Sequence, residues 1–367
     1  MTRKTSPALL LLASISLRAA AFQLPPPSYL PRAVGSCPTP AQAEPRALVC
    51  PRAADAAVSS QIGRSKRRGE MLPLATSVGG KEYQPEVVKE AIGRCRDAVA
   101  RKPENEEAWF LLGVMLQETG DLTGAEEAFQ QSTQLDPMRE GGWLNLGLLM
   151  ERKGDSPKAL QAYMKALQAN PASSAAYVRL GGVMETGGKP EAAEAAYEKA
   201  LALNMAEVAA HTALCRLLLR LDRPDSARQA AQRAVEAVPQ EAMIHVQLGA
   251  ALNALTRPRE AERCLRTALS LDAASSEAHN NLGIALKAQG KYAEAEAAYK
   301  SAIELAPGLV EPLYNLGIFY REQGPLYQDK AEEALTKALA LDPTNMDIRL
   351  VLAGVCERER ARAGARE

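Results

Sequence analysis

The amino-acid sequence predicts an all-α fold in which short helices form pairs and each pair stacks on the next. Three observations predict it. The 367-residue chain is 47% apolar but only 4% aromatic, a balance that suits helices packed through Ala and Leu better than a sheet. A template of 34 residues recurs from about Glu86 to the C-terminus. Glycine and proline fall at fixed places in that template, where they end helices.

The template is clearest at residues 276–309, SEAHNNLGIALKAQGKYAEAEAAYKSAIELAPGL. Two helical periods lie on either side of Gly290, and Pro307 closes the unit. The apolar or small positions of the two periods are His279, Leu282, Gly283, Leu286, Ala295, Tyr299 and Ala302. One such helix pair cannot bury its own apolar face, so neighbouring units must stack.

The rest of the chain divides around this template. Residues 86–103 are predicted to form an N-terminal capping helix, and residues 346–367 a C-terminal capping helix with a charged tail. Seven helix pairs are predicted between them, at residues 106–139, 140–173, 174–207, 208–241, 242–275, 276–309 and 310–345. The fourth pair is degenerate, with Asp222 where most other units have a turn glycine, and the seventh has two extra residues in its turn.

The first seventy residues have a different composition. Arg3 and Lys4 precede an apolar run of about ten residues, and three alanines follow it after Arg18, as in a secretory signal peptide over residues 1–21. The run is too short to span a bilayer, and no integral membrane segment is expected in the mature chain. Residues 22–70 are rich in Ala, Pro, Arg and Ser, as in a transit peptide without a packed core. Residues 71–85 are predicted to be a linker.

The junction Ala21-Phe22 resembles the bipartite presequences of algae with secondary plastids, in which a transit peptide beginning with Phe follows a signal peptide. This resemblance implies import into a plastid, to the stroma or the thylakoid lumen. Secretion of a protein with a disordered leader and mitochondrial import are the alternatives.

The 34-residue units resemble the tetratricopeptide repeat, and the resemblance runs from about Glu86 to the end. It implies a right-handed α-solenoid superhelix with a concave groove lined by the first helix of each pair. It also implies a non-catalytic scaffold that binds an extended peptide or a helix of a partner protein. The Lys and Asn arrangement with which chaperone-binding members hold a C-terminal carboxylate is absent.

The resemblance places candidate contacts for a peptide in that groove. They are Phe110, Leu144, Asn145, Val178, Arg179, Arg216, Gln247, Asn253, Asn280, Asn281, Lys287, Tyr314, Asn315 and Arg321. Three of them, Asn145, Asn281 and Asn315, resemble the asparagine ladder in the tetratricopeptide half of O-linked N-acetylglucosamine transferase. Such a ladder holds a peptide backbone, because an amide both donates and accepts hydrogen bonds. A local structural role for these asparagines is the alternative.

Several function classes are disfavoured. Residues 1–70 carry ten basic and three acidic side chains, so the remaining residues carry 34 basic and 41 acidic ones. A mildly acidic body does not suit nucleic-acid binding. The three histidines recur every 34 residues, at His211, His245 and His279. Stacked helices lie roughly 10 Å apart, whereas metal ligands lie about 2 Å from their ion, so these side chains are expected to pack in the core. The six cysteines form no CxxC pair and are not expected to hold a metal.

The sequence therefore predicts a protein-binding scaffold, with no enzyme activity, metal or cofactor, that serves as an assembly factor for a plastid complex. One alternative is the regulatory or truncated part of a glycosyltransferase, which would need a catalytic domain outside this sequence. The other is a helical-repeat RNA-binding protein, which the acidic body disfavours. The oligomeric state is left open.

Overall fold

The computed structural model describes residues 76–78, 81–83 and 85–363. The segments interpreted as signal and transit peptides lie outside these residues. The chain divides into two compact units, the first ending at Gly154 and the second beginning at Asp155. Both are built from short helices in repeated pairs, which confirms the predicted all-α repeat solenoid.

The first unit begins with a small antiparallel ribbon. Strand β1 (Thr76–Val78) pairs with β2 (Lys81–Tyr83), both within the stretch interpreted as a linker. The helices that follow are α1 (Pro85–Arg101), α2 (Glu106–Glu118), α3 (Leu122–Leu135) and α4 (Glu140–Arg152). Helix α1 packs on α2, as a cap on the first helix pair would.

The second unit contains the remaining helices. They are α5 (Ser156–Ala169), α6 (Ser174–Thr186), α7 (Pro190–Leu203), α8 (Val208–Arg220), α9 (Pro224–Ala237), α10 (Ala242–Ala254), α11 (Pro258–Leu271), α12 (Ser276–Ala288), α13 (Tyr292–Leu305), α14 (Val310–Gln323), α15 (Gln328–Leu341) and α16 (Met346–Ala363). The two extra residues of the last repeat form a 3₁₀ turn at Pro325–Tyr327 between α14 and α15. We call the even-numbered helices α2 to α14 first helices, and the odd-numbered helices α3 to α15 second helices.

Local signals in the sequence set where these helices begin and end. The side chains of Asn105, Ser173 and Ser275 each accept a hydrogen bond from a backbone N–H in the first turn of the helix that follows. The turn between paired helices has a left-handed residue, such as Gly290 with φ 75°. Two other residues adopt this conformation without being glycine, Asp222 and Thr256, each with φ 54°.

The core of the second unit lies between the two layers of helices. Helices α7, α9, α11 and α13 each pack against the first helix of their own repeat and against that of the next repeat. The backbone of Gly181 in α6 lies so close to α7 that a Cβ there would meet the Tyr197 ring at 2.5 Å. Gly249 faces Leu265 in the same manner, also at 2.5 Å. The small residue after Leu thus permits the close helix approach that the sequence predicts.

A buried carboxylate adds a polar contact between two repeats. The Glu262 side chain on α11 is 6% exposed and lies 2.9 Å from Lys291 Nζ, in the turn after α12. Gln289 donates a hydrogen bond to it at 2.7 Å. Burial raises the pKa of Glu262, but the hydrogen bonds from Lys291 and Gln289, together with the positive charges of Arg266 and Lys291, outweigh burial and hold this pKa below its usual value. The carboxylate therefore stays charged and joins the fifth repeat to the sixth.

Candidate functional site

The first helices of the second unit form a continuous layer. Helix α6 contacts α8, α8 contacts α10, α10 contacts α12, and α12 contacts α14. Among the helices described in this unit, no two second helices make contacts of that extent. Since the first helices are more closely spaced, their layer is the inner side of this unit's curvature. We call the side chains that α6, α8, α10, α12 and α14 present on this side the first-helix face.

Asparagines dominate the later part of this face. The Asn281 side chain donates from Nδ2 to the backbone carbonyl of Glu277, at 3.0 Å within α12. Asn253 Nδ2 donates to the backbone carbonyl of Asn281 at 2.9 Å, and so joins α10 to α12. Asn315 Nδ2 donates to Asn280 Oδ1 at 3.0 Å, and so joins α14 to α12. The amides thus hold neighbouring first helices together.

These bonds leave part of each amide available. Within the described residues, no group donates to Oδ1 of Asn281 or of Asn315, and both side chains are only half-buried. Asn280 uses its oxygen for Asn315 and keeps its own N–H donors. The face therefore offers both acceptors and donors, which is the combination that a peptide backbone needs.

Gln247 occupies the same position in α10 as Asn281 in α12, but it is placed differently. It is only 1% exposed. Its Nε2 donates to Glu277 Oε1 at 3.1 Å and also contacts Met243 Sδ at 3.6 Å. Gln247 therefore fixes the Glu277 side chain of the next repeat and does not face solvent.

The early part of the face carries arginines. Arg179 on α6 and Arg216 on α8 are exposed, and neither is in an ion pair of the described residues. Arg220, one turn after Arg216, forms a 2.7 Å ion pair with Glu185 of α6. The Glu185 carboxylate also accepts a 2.7 Å hydrogen bond from the hydroxyl of buried Tyr197. Burial and then this hydrogen bond raise the pKa of Tyr197, so its proton stays on the hydroxyl at neutral pH.

The remaining predicted positions of the second unit lie on or beside this face. Lys287 is in a 3.0 Å ion pair with Glu322 of the next first helix. Arg321 is half-buried and is in no ion pair of the described residues. Val178 and Tyr314 are half-buried and pack against the core of the unit. They offer partial apolar surface between the polar groups.

The predicted positions of the first unit are less exposed. Phe110 is 4% exposed, with its ring centroid 6.0 Å from that of Phe129. The guanidinium of Arg139 lies 4.5 Å above the Phe110 ring and also pairs with Glu106. This cover was not apparent from the sequence, because Arg139 lies 29 positions after Phe110. Phe110 therefore offers no open pocket in this structure.

The other two positions of the first unit are on α4. Leu144 is buried in this structure. Asn145 is half-buried, and its Nδ2 donates to the backbone carbonyl of Gly141 at 2.8 Å. This is the same bond that Asn281 makes to Glu277.

The three histidines make the same kind of contact with the backbone. Nε2 of His211 and of His245 each lies 2.9 Å from the backbone carbonyl six residues earlier, and Nε2 of His279 lies 3.3 Å from its equivalent. Trp109 Nε1 donates to the corresponding carbonyl at 2.8 Å. A carbonyl only accepts hydrogen bonds, so each Nε2 carries the proton. The histidines thus help to close the turn before each repeat.

One depression in the first unit was not predicted from the sequence. It has a volume of about 430 Å³ and lies between α1 and the end of α2. Val88, Ile92 and Leu116 line its apolar floor, and Arg96 lies at its edge. It contains none of the predicted contact residues.

No helix in the described part of the chain is long and apolar enough to cross a membrane. Within the same residues, no three His, Cys, Asp or Glu side chains are grouped as metal ligands would be.

Comparison with known families gives a consistent result. Three family models match, each described as tetratricopeptide repeat. One covers residues 276–309, the second residues 186–252, and the third residues 88–140 and 144–208. Together they cover more than half of the chain. No curated protein matches it.

Solved structures with a similar fold have low sequence identity. A tetratricopeptide repeat protein from Parabacteroides merdae is 18% identical with a TM-score of 0.57, over 68% of this chain and 98% of that chain. Yeast Tom70 is 16% identical with a TM-score of 0.55, over 86% and 74%. The hetero-tetramer Cut9–Hcn1 of APC/C is 16% identical with a TM-score of 0.56. The match covers 73% of this chain and only 52% of that chain. At such identities the likeness shows the fold alone.

Proposed function

Because this chain belongs to the tetratricopeptide repeat family, we propose that its first-helix face holds an extended segment of a partner protein. Members of this family are typically scaffolds for protein–protein interactions. The observation that carries the proposal is the set of half-used amides on α12 and α14. Asn281 and Asn315 present free side-chain oxygens, and Asn280 presents free N–H donors. An extended peptide exposes N–H and C=O groups alternately, which such a set can pair.

We propose that the scaffold is non-catalytic. Members of this repeat family typically bind other proteins, and two buried titratable groups of this chain make contacts that hold the fold together. The Glu262 carboxylate is held by Lys291 and Gln289. His211 is bonded to a backbone carbonyl. Both side chains are buried, so neither is placed to take a proton from a molecule bound at the surface.

The amide proposal is tested in two steps. Proximity labelling with the full-length chain in its native cell identifies partner proteins, and the bound segment is then mapped. Affinity for that segment is compared between the natural protein and the double variant N281A/N315A. Loss of two backbone hydrogen bonds, each contributing about 0.5–1.5 kcal/mol, is expected to weaken binding by a factor of about 5 to 140.

The matched control removes two amides elsewhere. Gln161 and Gln168 are exposed on the second helix α5, so Q161A/Q168A is expected to bind with unchanged affinity. Asn145, which lies in the first unit, is replaced by Ala on its own. Unaltered affinity in N281A/N315A, with melting as in the natural protein, would show that the amides do not hold the partner.

We also propose that the chain is imported into a plastid and assists assembly of a complex there. The support is the junction Ala21-Phe22 within a signal-peptide and transit-peptide pattern, which lies outside the described residues. A C-terminal fluorescent fusion of the full-length chain should label the plastid, and F22A should prevent its import. If the fusion of the unsubstituted chain remains in the secretory pathway or enters mitochondria, the plastid proposal is refuted.

A further inference from the structure

The charges on the first-helix face of the second unit are unevenly distributed along it. The five first helices carry five basic and four acidic side chains. Helices α6 and α8 hold three of the basic residues, Arg179, Arg216 and Arg220, against one acid, Glu185. Helix α10 holds no charged residue, and α12 and α14 hold two basic and three acidic ones. The face therefore has a basic end at the third and fourth repeats. We call this part the arginine end.

Two of the four acids of this face are neutralised by ion pairs within the second unit. Glu185 pairs with Arg220, and Glu322 pairs with Lys287. Glu277 accepts from buried Gln247. At the arginine end, Arg179 and Arg216 remain exposed without a carboxylate in the described residues. Two guanidinium groups there can each pair with a carboxylate of another molecule.

Arg216 and Arg220 are also positioned relative to each other. They lie four residues apart on α8, so their side chains project from the same side of the helix, roughly 6 Å apart at Cβ. The ion pair with Glu185 holds Arg220 against α6, the helix that carries Arg179. The arginine end thus spans two neighbouring repeats and presents its free charges on one side.

We infer that the partner segment is acidic at one end and uncharged over the rest of its contact, with the acidic end bound by Arg179 and Arg216. This inference rests on the proposed function and specifies the partner's chemistry. The planar guanidinium group binds a carboxylate through two parallel hydrogen bonds. The uncharged part of the segment lies along the amides of α10, α12 and α14, which recognise backbone and select no charged side chain.

The spacing of the two parts follows from the repeat geometry. Arg216 is on α8 and Asn281 on α12, two repeats further along. Neighbouring first helices are separated by roughly 10 Å, so the two groups are roughly 20 Å apart. An extended chain advances about 3.3 Å per residue. The acidic residues should therefore lie about six residues from the centre of the uncharged stretch.

RNA phosphates could also bind arginines, but the face favours a peptide. The aromatic residue of the predicted contact set in this unit, Tyr314, is half-buried against the core, so only part of its ring is open for a base to stack on. Residues 71–367 carry more acidic than basic side chains, which repels a polyphosphate. A short acidic segment needs only the two exposed, unpaired guanidinium groups of the arginine end.

A random library of 16-residue peptides selected on the full-length protein tests the inference. Selected peptides should be enriched in Asp and Glu clustered at one end. Their affinity should fall about tenfold in R179Q/R216Q at low salt and should decline as salt rises. The control R259Q/R263Q removes two exposed arginines from the second helix α11 and should bind as the natural protein does. A photo-crosslinker beside the acidic cluster should label α6 and α8.

The outcomes separate this inference from the proposed function. The inference about the arginine end would be overturned if the selected peptides showed no acidic enrichment. It would also be overturned if R179Q/R216Q and R259Q/R263Q weakened peptide binding equally, or if the crosslinks formed to α12 and α14. In each case the proposal of a peptide-binding face would still stand. Selection of no peptide of any composition would overturn both. Binding of a 20-nucleotide oligouridine that is lost in R179Q/R216Q would show that the arginines serve RNA, which also overturns the inference.

Discussion

Replacing either of two adjacent glycines in α6 by alanine is expected to change the stability of the protein in opposite directions. A Cβ at Gly181 would lie 2.5 Å from Tyr197 Cε1 and 2.8 Å from Cδ1. Apart from its own helix, the atom nearest to a Cβ at Gly182 would be the Tyr197 hydroxyl oxygen, at 4.0 Å. Both residues lie within a helix with ordinary negative φ values. G181A and G182A therefore change the same backbone segment and differ mainly in whether the new methyl group has space.

The magnitude of each effect follows from this geometry. Carbon atoms in contact normally lie about 3.5–4.0 Å apart, so the Tyr197 ring would have to move by roughly 1 Å. It is 2% exposed, and its hydroxyl is held by Glu185 at 2.7 Å, so there is little room to move. Overpacking of this kind costs about 1–3 kcal/mol. Alanine recovers only about 0.5–1 kcal/mol of helix propensity, so G181A should be destabilising by about 1–2 kcal/mol and G182A stabilising by about 0.5–1 kcal/mol.

Urea unfolding measures the free energy of unfolding of the two variants. Hydrogen exchange of the backbone amides of α6 and α7 reports the local stability of these helices. The local measurement is needed because repeat arrays can unfold segment by segment. We expect faster exchange at both helices in G181A and slower exchange in G182A. Equal stability of the two variants, or a more stable G181A, would refute the view that close approach of α6 to α7 requires glycine.

Two further predictions concern single residues. Thr256 has φ 54° at a turn where other repeats have glycine, so T256G should raise the free energy of unfolding by about 1 kcal/mol; an unchanged or lower urea midpoint would contradict this. Burial lowers the pKa of His211, with Arg233 lowering it further while the Met205 carbonyl and Glu207 raise it. The folded state therefore resists protonation, and stability should be lost as pH falls below the unfolded-state pKa of about 6.5. Melting temperatures at pH 7.5 and 5.5 should differ less in H211Y than in the natural protein, and an equal difference would refute this.

Much of the fold was predictable because the repeat is a local signal. The units predicted from periodicity each contain one helix pair in the structure, and the seventh contains its extra turn at Pro325–Tyr327. Asp222 could be recognised as a substitute for the turn glycine, and it adopts the left-handed conformation. Thr256 adopts it too, although a β-branched residue is disfavoured there. The turn there closes with the same pair of backbone hydrogen bonds as the turn at Asp222, from Thr256 N–H to Asn253 and from Arg257 N–H to Leu252.

The candidate site was less predictable, because equivalent positions in the repeats have unequal environments. Gln247 and Asn281 occupy the same place in their units, yet Gln247 is buried against Glu277 and Asn281 is half-exposed. Lys287 carries a charge that the sequence assigned to the groove, but Glu322 neutralises it from the next repeat. These partners lie 30 and 35 positions away along the chain.

The sequence by itself determined the order of the helices, their approximate ends, and the glycine positions where paired helices touch. These features depend on contacts within one 34-residue unit, so each repeat of the template carries the same information. Only the tertiary structure decided which polar groups remain available. Arg220 and Lys287 are paired across repeats, whereas Arg179 and Arg216 are not. The physical reason is that stacking brings together side chains about one repeat apart, and their identities differ from unit to unit.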